Sequence, residues 1–396
     1  MLKKISLDQV RLGMFIQSFE GDWLSHPFWK TKFLLDQPGD LKTLRDSGIP
    51  GVWIDIQKGL DVASAEAASP EQAPPPLPPP ERVPAKCSAA EETHRAKKIL
   101  SRSKQAVTNL FNEARLGKAV DVESCLPVVE EISESVARNS AALISLARLK
   151  TRDEYTYVHS VSVCALMVAL TRQIGLNDAQ TRETGLAGLL HDVGKMAIPE
   201  DVLNKPSKLT DEEFAVMKSH PERGYEILIK SGMQSEGTLD VCLHHHEKID
   251  GSGYPHHLQH EQIGLYARMG AICDVYDAIT SNRPYKDAWD ASESLVRMAK
   301  WEGHFDPQIF HTFIKSVGIY PLSSLVRLES GRLGVVIEQT PGNLTKPVLR
   351  VFFSTKSNAA IPMQILDLSK NFVNDRIAGR EDPHRWDFKN LEKLWH

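Results

Sequence analysis

Two adjacent histidines, His245 and His246, constrain the fold of this 396-residue chain more than any other feature. They lie in residues 244–255, which read His-His-His-Glu-Lys-Ile-Asp-Gly-Ser-Gly-Tyr-Pro. Neither imidazole can enter a hydrophobic core unless its ring nitrogens find partners. Neighbours on a helix diverge by roughly 100°, so the pair is well suited to straddle two metal ions. The Gly-Ser-Gly turn that follows lets the backbone approach a ligand closely, and Pro255 stiffens its exit.

Other candidate ligands cluster in the same part of the chain, because nine of the fifteen histidines fall between residues 159 and 260. We interpret seven residues in or at the ends of predicted helices as a metal shell, since a helical bundle can point them at one centre. They are His159, His191, Asp192, His220, His245, His246 and Asp274.

The pair His191-Asp192 is the strongest single signal outside residues 244–255. It follows two leucines, and ionisable groups in such a setting must be paired or coordinated. Two adjacent pairs of ligands suit two metals, between which Asp192 can bridge. Imidazole with carboxylate suits Fe, Mn, Zn or Ni, and the absence of thiolate pairs argues against structural zinc. Two metals ~3.5–4 Å apart activate a bridging water and hold phosphoryl oxygens for in-line displacement.

The predicted fold class is mainly α: an all-helical bundle with a small N-terminal α+β domain and a short C-terminal β extension. Residues 1–60 show short strands near residues 14–16 and 51–56, and a helix between residues 34 and 47 that Gly48 ends. Residues 61–90 form a linker, because the proline run at residues 74–80 favours a polyproline II spacer. An SH3-type ligand is the alternative reading of that run.

The remaining boundaries follow hydrophobic periodicity. Residues 91–150 fit amphipathic helices that either pack on the next domain or pair between subunits. Residues 151–320 form the helical domain, where residues 210–213 make a capping box and Pro221 suits the first turn of a helix. Residues 321–396 form the β extension, with strands predicted at residues 325–328, 334–337 and 348–353.

Composition favours a soluble, cytoplasmic protein. The net charge of −4 argues against non-specific binding to nucleic acid or to acidic membranes. Five scattered cysteines and no recognisable signal peptide favour a reducing compartment. The longest apolar run, residues 161–170, is far shorter than the ~20 residues that span a bilayer. We therefore predict no membrane and no nucleic-acid partner.

The motifs at residues 191–195, 245–247 and 250–255 together resemble the HD-GYP family of cyclic di-GMP phosphodiesterases. The resemblance covers roughly residues 150–320 and extends to residues 205–206, 209–210, 220–221, 274–278 and 283–286. Residues 1–60 also look like a domain of unknown function that precedes this domain in some members. The resemblance implies a helical bundle with a di- or trinuclear iron or manganese centre. It also implies hydrolysis of cyclic di-GMP to linear pGpG and onward to GMP.

The resemblance also assigns roles to single residues. All seven candidate ligands match family ligands, and Asp192 and Lys195 match catalytic positions, with the lysine neutralising the scissile phosphate. The substrate is expected to be held by the Gly-Tyr-Pro loop and by two cations, which suit a pair of phosphates. These residues are Gly253, Tyr254, Arg283 and Lys286.

One position departs from the family pattern. Members with a third metal carry a glutamate four residues before the first ligand histidine, and here that position is Tyr155. Glu154 is one residue away, which turns it about 100° on a helix. We therefore predict two divalent transition metals, Fe or Mn.

Several neighbouring residues are expected to lie outside the first coordination sphere. Asp277 shares a helix face with Asp274 and could orient a ligand, and Glu247 is expected to orient the histidine pair. His244 is interpreted as a surface or orienting residue. His256, His257 and His260 are interpreted as solvated.

Three functions from different classes remain open. The first is an active cyclic di-GMP phosphodiesterase. The second is a cyclic di-GMP-sensing module that acts through protein partners with little hydrolysis, although such members typically lose ligands. The third is a generic HD phosphohydrolase of a mononucleotide or alarmone, a class that lacks the Gly-Tyr-Pro extension. A homodimer or a signalling protein partner is also predicted.

Overall fold

A computed structural model gives the structure of residues 2–19, 33–46, 51–62, 85–148, 155–281, 288–340, 342–386, 388 and 391–394. The chain divides into two compact units, residues 1–80 and residues 81–396. The predicted linker lies mostly outside the described residues, as do Gly48, Glu154, Arg283 and Lys286.

The N-terminal unit is a small antiparallel sheet with one helix. Its elements are β1 (Leu2–Ile5), β2 (Phe15–Phe19), β3 (Phe33–Leu34), α1 (Pro38–Asp46) and β4 (Val52–Asp55), and the strand order is β1-β4-β2-β3. Buried Val10, Met14, Ile16, Leu44 and Ile54 fill the core between the sheet and the helix. The short strands and the helix predicted for residues 1–60 are confirmed, and their apolar residues form this core.

The second unit is mainly helical. Its helices are α2 (Ala89–Arg115), α3 (Leu126–Ala147), α4 (Tyr155–Ile174), α5 (Asp178–Leu190), α6 (Glu200–Leu203), α7 (Asp211–Met217), α8 (His220–Lys230), α9 (Glu236–His244), α10 (Leu265–Thr280), α11 (Ala291–Met298) and α12 (Pro307–Val317). Helices α2 and α3 pack on each other and on α4, so the amphipathic helices before residue 150 pack on the following domain.

Helix starts follow local capping chemistry. Thr210 Oγ1 accepts from the backbone N–H of Glu213 at 3.3 Å, and the Glu213 carboxylate accepts from the Thr210 N–H at 2.7 Å. This confirms the predicted capping box. Pro221 lies in the first turn of α8, as predicted. A matching box between Ser88 and Glu91 starts α2.

Helix α4 is the central helix of the bundle. It is long and apolar enough to cross a bilayer, but 78% of its most apolar window is buried inside the protein. It packs closely on α5, because a Cβ on Gly188 would lie 3.0 Å from the backbone of Cys164. Such burial is typical of the core helix of a soluble protein.

A short 3-10 helix, Val193–Ala197, follows α5 and precedes α6. It packs backbone to backbone on the start of α8, because a Cβ on Gly194 would lie 1.9 Å from the carbonyl oxygen of His220. Only glycine permits this approach. The contact brings the residues on either side of Gly194 close to His220.

The C-terminal region is a five-stranded antiparallel sheet. It contains β5 (Leu325–Leu328), β6 (Arg332–Glu338), β7 (Val348–Ser354), β8 (Ala359–Asp367) and β9 (Ile377–Arg380), in the order β8-β7-β6-β5-β9. The three predicted strands are confirmed, and β8 and β9 are additional. The sheet core includes Ala89 of α2 and contacts Ala141 of α3, so the sheet packs on the helical domain.

Candidate metal centre

All seven predicted ligands converge in the helical domain. They come from α4, the two residues after α5, the start of α8, the two residues after α9 and the middle of α10. Six of the seven form two sets of three whose ligand atoms lie within 4.8 Å of one another, close enough to hold a metal ion. We call His159, His191 and Asp192 the closed group, and His220, His245 and His246 the open group.

The closed group gathers imidazole nitrogens around carboxylate oxygens. His159 Nε2 lies 2.9 Å from Asp274 Oδ1 and 3.5 Å from Asp192 Oδ2. His191 Nε2 lies 3.3 Å from the same oxygen of Asp192 and 3.8 Å from Asp274 Oδ1. Two nitrogens and two oxygens therefore face one point.

The open group meets the other oxygen of Asp192. His220 Nε2 lies 3.3 Å from Asp192 Oδ1 and 3.3 Å from His245 Nε2, which is itself 3.8 Å from Asp192 Oδ1. His246 Nδ1 lies 3.8 Å from Asp274 Oδ2. Asp192 thus presents one oxygen to each group, which is the arrangement of a bridging carboxylate.

Hydrogen bonds fix the tautomers of three histidines. The Nδ1 atoms of His191 and His220 each lie 2.8 Å from a backbone carbonyl, and that of His245 lies 3.0 Å from the carbonyl of Val241. Because a carbonyl only accepts, each Nδ1 carries the proton and each Nε2 keeps its lone pair toward the centre. His159 differs, because its Nδ1 lies 2.6 Å from Asp277 Oδ2. Asp277 therefore occupies the orienting position expected from the sequence.

Two polar atoms at the centre lack a partner among the described residues. His191 Nε2 and Asp192 Oδ1 are both buried without a hydrogen bond. A buried unpaired acceptor is costly, and a cation at each of the two groups would satisfy the acceptor that faces it. These residues therefore fit a metal.

Electrostatics supports the same conclusion. Burial alone would lower the pKa of His191, but the carboxylates of Asp192 and Asp274 outweigh it and raise that pKa to about 10. Burial would raise the pKa of Asp192, yet His191 and Lys195 hold it well below its usual range. Burial and the neighbouring imidazoles keep the pKa of His245 well below its usual range. The carboxylates thus favour positive charge at the closed group, which a bound cation would supply in place of a second proton on His191, and His245 stays a neutral imidazole.

Lys195 projects from the 3-10 helix to the centre. Its Nζ donates to Asp192 Oδ2 at 2.5 Å, and 21% of its side chain is exposed. An ammonium has three donors, so this contact leaves others for an anion. The structure brings Lys195 to the oxygen that faces the closed group.

The Gly-Tyr-Pro loop covers the open group. The Tyr254 ring stacks on His246 with centroids 4.8 Å apart, and its pKa is raised chiefly by burial. Gly253 is buried, and a Cβ there would lie 2.3 Å from the N atom of Lys248. Close backbone packing accounts for this glycine, and its predicted contact with substrate stays a prediction.

Glu247 has a different role from the expected one. Its two carboxylate oxygens accept from the backbone N–H groups of His256 at 2.6 Å and Leu258 at 3.1 Å. The carboxylate is therefore used to hold the chain after Pro255, and its expected role of orienting the histidine pair is wrong. No sequence pattern links residues nine and eleven positions apart in a loop.

The flanking histidines are only partly as predicted. His244 Nδ1 lies 2.7 Å from Asp240 Oδ1, and its Nε2 lies 3.0 Å from His256 Nδ1. His256 therefore has a protein partner, although it is exposed like His257 and His260. At the other end of the centre, the Tyr155 ring stacks on His159 with centroids 5.4 Å apart.

Comparisons with known proteins place the chain in a family. A domain of unknown function (DUF3391) matches residues 2–125, and an HD domain matches residues 132–309. A cyclic di-GMP phosphodiesterase of Pseudomonas aeruginosa is 54% identical over 100% of this chain and 96% of its own length. The chain belongs to the HD-GYP family. This HD-GYP protein carries the family's His-Asp pair at His191-Asp192 and its Gly-Tyr-Pro loop at residues 253–255.

More distant relatives match the HD-GYP protein over about half of its length. A response-regulator cyclic di-GMP phosphodiesterase of Xanthomonas campestris is 41% identical over 50% of this chain and 53% of its own. A 3'3'-cGAMP-specific phosphodiesterase of Vibrio cholerae is 34% identical over 47% of this chain and 35% of its own. A solved HD-GYP-type structure from Bdellovibrio bacteriovorus is 17% identical, with a TM-score of 0.48 over 79% of this chain and 98% of that one.

Proposed function

We propose that this protein hydrolyses cyclic di-GMP to linear pGpG, to GMP or to both. One observation carries the proposal: the ligand set is complete, and Asp192 offers one oxygen to each of the two groups. The full-length relative named a cyclic di-GMP phosphodiesterase supports the choice of substrate. A sensing module without hydrolysis would not need this complete set.

We propose two metal ions, iron or manganese. The closed group with Asp274 would hold one and the open group the other. When bound, such a pair supplies an activated water and electrophilic contacts to phosphoryl oxygens. Tyr155 stacks on His159 where members with a third metal have glutamate, and a phenol ring in this stack supplies no carboxylate.

We assign to Lys195 the stabilisation of the negative charge that develops in the transition state. In-line attack on a phosphodiester builds negative charge on the non-bridging oxygens, and a fixed cation stabilises that charge best where water is excluded. Asp192 holds the ammonium in place through the 2.5 Å contact, so little reorganisation is needed. Asp192 therefore has two tasks: it bridges the two groups and positions Lys195.

We assign substrate binding to the outer side of the open group. Tyr254 already lies against His246 there and offers an aromatic face to a base. Arg283 and Lys286 are proposed to bind the two phosphates, as a fork and a point charge respectively. Gly253 is proposed to let the loop backbone approach the substrate.

The decisive experiment separates substrates and products. Metal-loaded protein is incubated with cyclic di-GMP or with 3'3'-cGAMP, and the products are separated by chromatography. We expect pGpG, GMP or both from cyclic di-GMP, with slower turnover of the mixed dinucleotide. His245→Ala is the inactive control. Intact cyclic di-GMP after incubation of fully metal-loaded protein would contradict the proposal and favour sensing.

Elemental analysis of the same preparation tests the metal count. We expect about two transition-metal ions per chain, as for other dinuclear hydrolases. A clear third ion per chain would contradict the argument from Tyr155.

We also propose a cytoplasmic location, in agreement with five free cysteines. A homodimer or a signalling partner stays a prediction.

A further inference from the structure

A cavity of about 570 Å³ lies in the second unit, apart from the metal centre. It opens where α3 is kinked at Asn139 (φ −160°, ψ 101°), near the end of α4, the end of α12 and the first strands of the C-terminal sheet. None of the seven predicted ligands lines it. Arg172, on its wall, is thirteen residues from His159 on α4, or about 20 Å along the helix.

The charged lining of this cavity is unbalanced. Among the lining residues that the structure describes, five are cations and one is a carboxylate. The cations are Lys86, Arg138, Arg148, Arg172 and Lys315, and the carboxylate is Glu338. Arg138 is neutralised by buried Glu92, whose carboxylate oxygens lie 2.8 and 2.9 Å away, and Arg172 has Asp178 Oδ1 at 3.7 Å. Among the residues that the structure describes, Lys86, Arg148 and Lys315 form no ion pair.

Two arginines on the wall also have unmet hydrogen-bonding capacity. The Nε atoms of Arg148 and Arg172 are buried without a partner in the described part of the chain. A buried cationic N–H without an acceptor is unfavourable, so such groups normally meet a carboxylate, a carbonyl or a ligand. Guanidinium groups are matched in geometry to phosphate oxygens.

The uncharged part of the wall is mixed, with an apolar portion beside serine, asparagine and glutamine side chains. Val136, Ala141, Ile144, Leu322 and Leu344 contribute to the apolar portion. The volume falls within the roughly 300–1,000 Å³ of small-molecule sites, which combine an apolar lining with a few polar groups. We propose that this cavity binds an organic phosphate of mononucleotide size, with the phosphate at Arg148 and Arg172 and its body on the apolar wall.

Calorimetric titration with AMP tests the proposal on the full-length protein. AMP carries the required phosphate and body, yet it is not a product of the proposed hydrolysis, so the result is independent of the proposed function. We expect saturable binding of one AMP per chain and much weaker binding of adenosine. Binding should persist in Asp192→Asn, which disables the metal centre, and inorganic phosphate should compete.

Variants of the cavity supply the decisive contrast. Arg148→Ala should weaken AMP binding about tenfold or more, the loss expected for one charge-assisted hydrogen bond. Exposed Lys315 provides a second variant, Lys315→Glu, in case the first folds poorly. The matched control is Arg182→Ala, an exposed arginine 3.8 Å from Glu130 and outside the cavity.

Three results would overturn the proposal. One is the absence of saturable AMP binding at millimolar concentration. Another is an affinity that neither Arg148→Ala nor Lys315→Glu changes. The third is loss of AMP binding in Asp192→Asn with retention in Arg148→Ala, which would move the site to the metal centre.

Discussion

The closed and open groups of the metal centre use similar residues and differ in the exposure of one of them, since His220 and His245 are only 2% and 0% exposed. In the closed group every side chain is 1% exposed, and the carboxylates of Asp192 and Asp274 both point into it. In the open group His246 is 23% exposed and lies under Tyr254. Complete burial favours tight retention of a cation, whereas the partial exposure of His246 favours exchange and contact with substrate. We therefore expect the closed group to retain its ion more tightly and the open group to face the substrate.

The largest expected effect comes from removing the connection between the groups. Asp192→Asn keeps one oxygen but replaces the other with an amide nitrogen, which is not a metal ligand, so bridging fails. We expect loss of at least one of the two ions and turnover below detection. Elemental analysis and the product assay measure both. Full metal content with substantial turnover would show that the groups do not depend on a shared carboxylate.

Variants that change only one group test whether the two groups retain their ions differently. His245→Ala should remove the metal of the open group while the closed group keeps its own, because Asp192 Oδ2 and Asp274 Oδ1 remain there. Graded chelation of the unchanged protein should remove one ion before the other. Simultaneous loss of both ions in either experiment would contradict a difference in retention.

The next largest effect is expected from replacing Lys195. On the catalytic assignment, Lys195→Ala lowers turnover by roughly two orders of magnitude, the scale of losing one oxyanion donor, with metals and fold retained. The alternative is a lysine that only complements the end of a helix, a contribution of less than about 1 kcal/mol to stability. In that case turnover barely changes and the melting temperature falls slightly. Turnover near that of the unchanged protein would remove Lys195 from the site.

Arg283→Ala tests the substrate binding that is assigned to the outer side of the open group. We expect unchanged metal content and a ten- to hundredfold weaker affinity for cyclic di-GMP, because a charge-assisted bidentate contact contributes roughly 1.5–3 kcal/mol. Titration with cyclic di-GMP measures this change. Exposed Arg223, which pairs with Glu226 at 3.4 Å, offers Arg223→Ala as the control. Equal affinities of the two variants would refute the assignment.

The residues that the sequence predicted are those whose surroundings are dictated locally. His191 and Asp192 follow a leucine run in a helix, so their burial and their need for coordination follow from the neighbouring residues alone. Position on a helix likewise identified Asp277, one turn from Asp274. These inferences needed only the 3.6-residue period and the cost of burying charge.

The features that the sequence did not predict depend on contacts between distant segments. The role of Glu247 arises from the path of the loop after Pro255. Strand β8 carries exposed Met363 and Ile365 and contains Pro362, so it lacks the alternation that marks a half-buried strand. The cavity near Arg148 is formed by helices and strands far apart in the chain. Such features require the tertiary structure.

The smallest expected effect concerns the carboxylate behind the closed group. Asp277 accepts from His159 Nδ1 at 2.6 Å, which orients the ring and raises the basicity of Nε2. Asp277→Asn retains an acceptor but removes the charge. We expect the affinity of the closed group for its metal to fall about tenfold, the lower end for partners of metal-ligating histidines, with the open group unchanged.

The chain provides a matched control for this test. Asp240 makes the same contact with His244 Nδ1 at 2.7 Å, but His244 is not a predicted ligand. Asp240→Asn should therefore leave metal affinity unchanged, although it removes the same charge from the same kind of pair. Competition with a metal-binding dye measures both variants. Equal losses in the two would mean that the charge acts at long range, and equal retention would mean that the closed group does not depend on the basicity of His159.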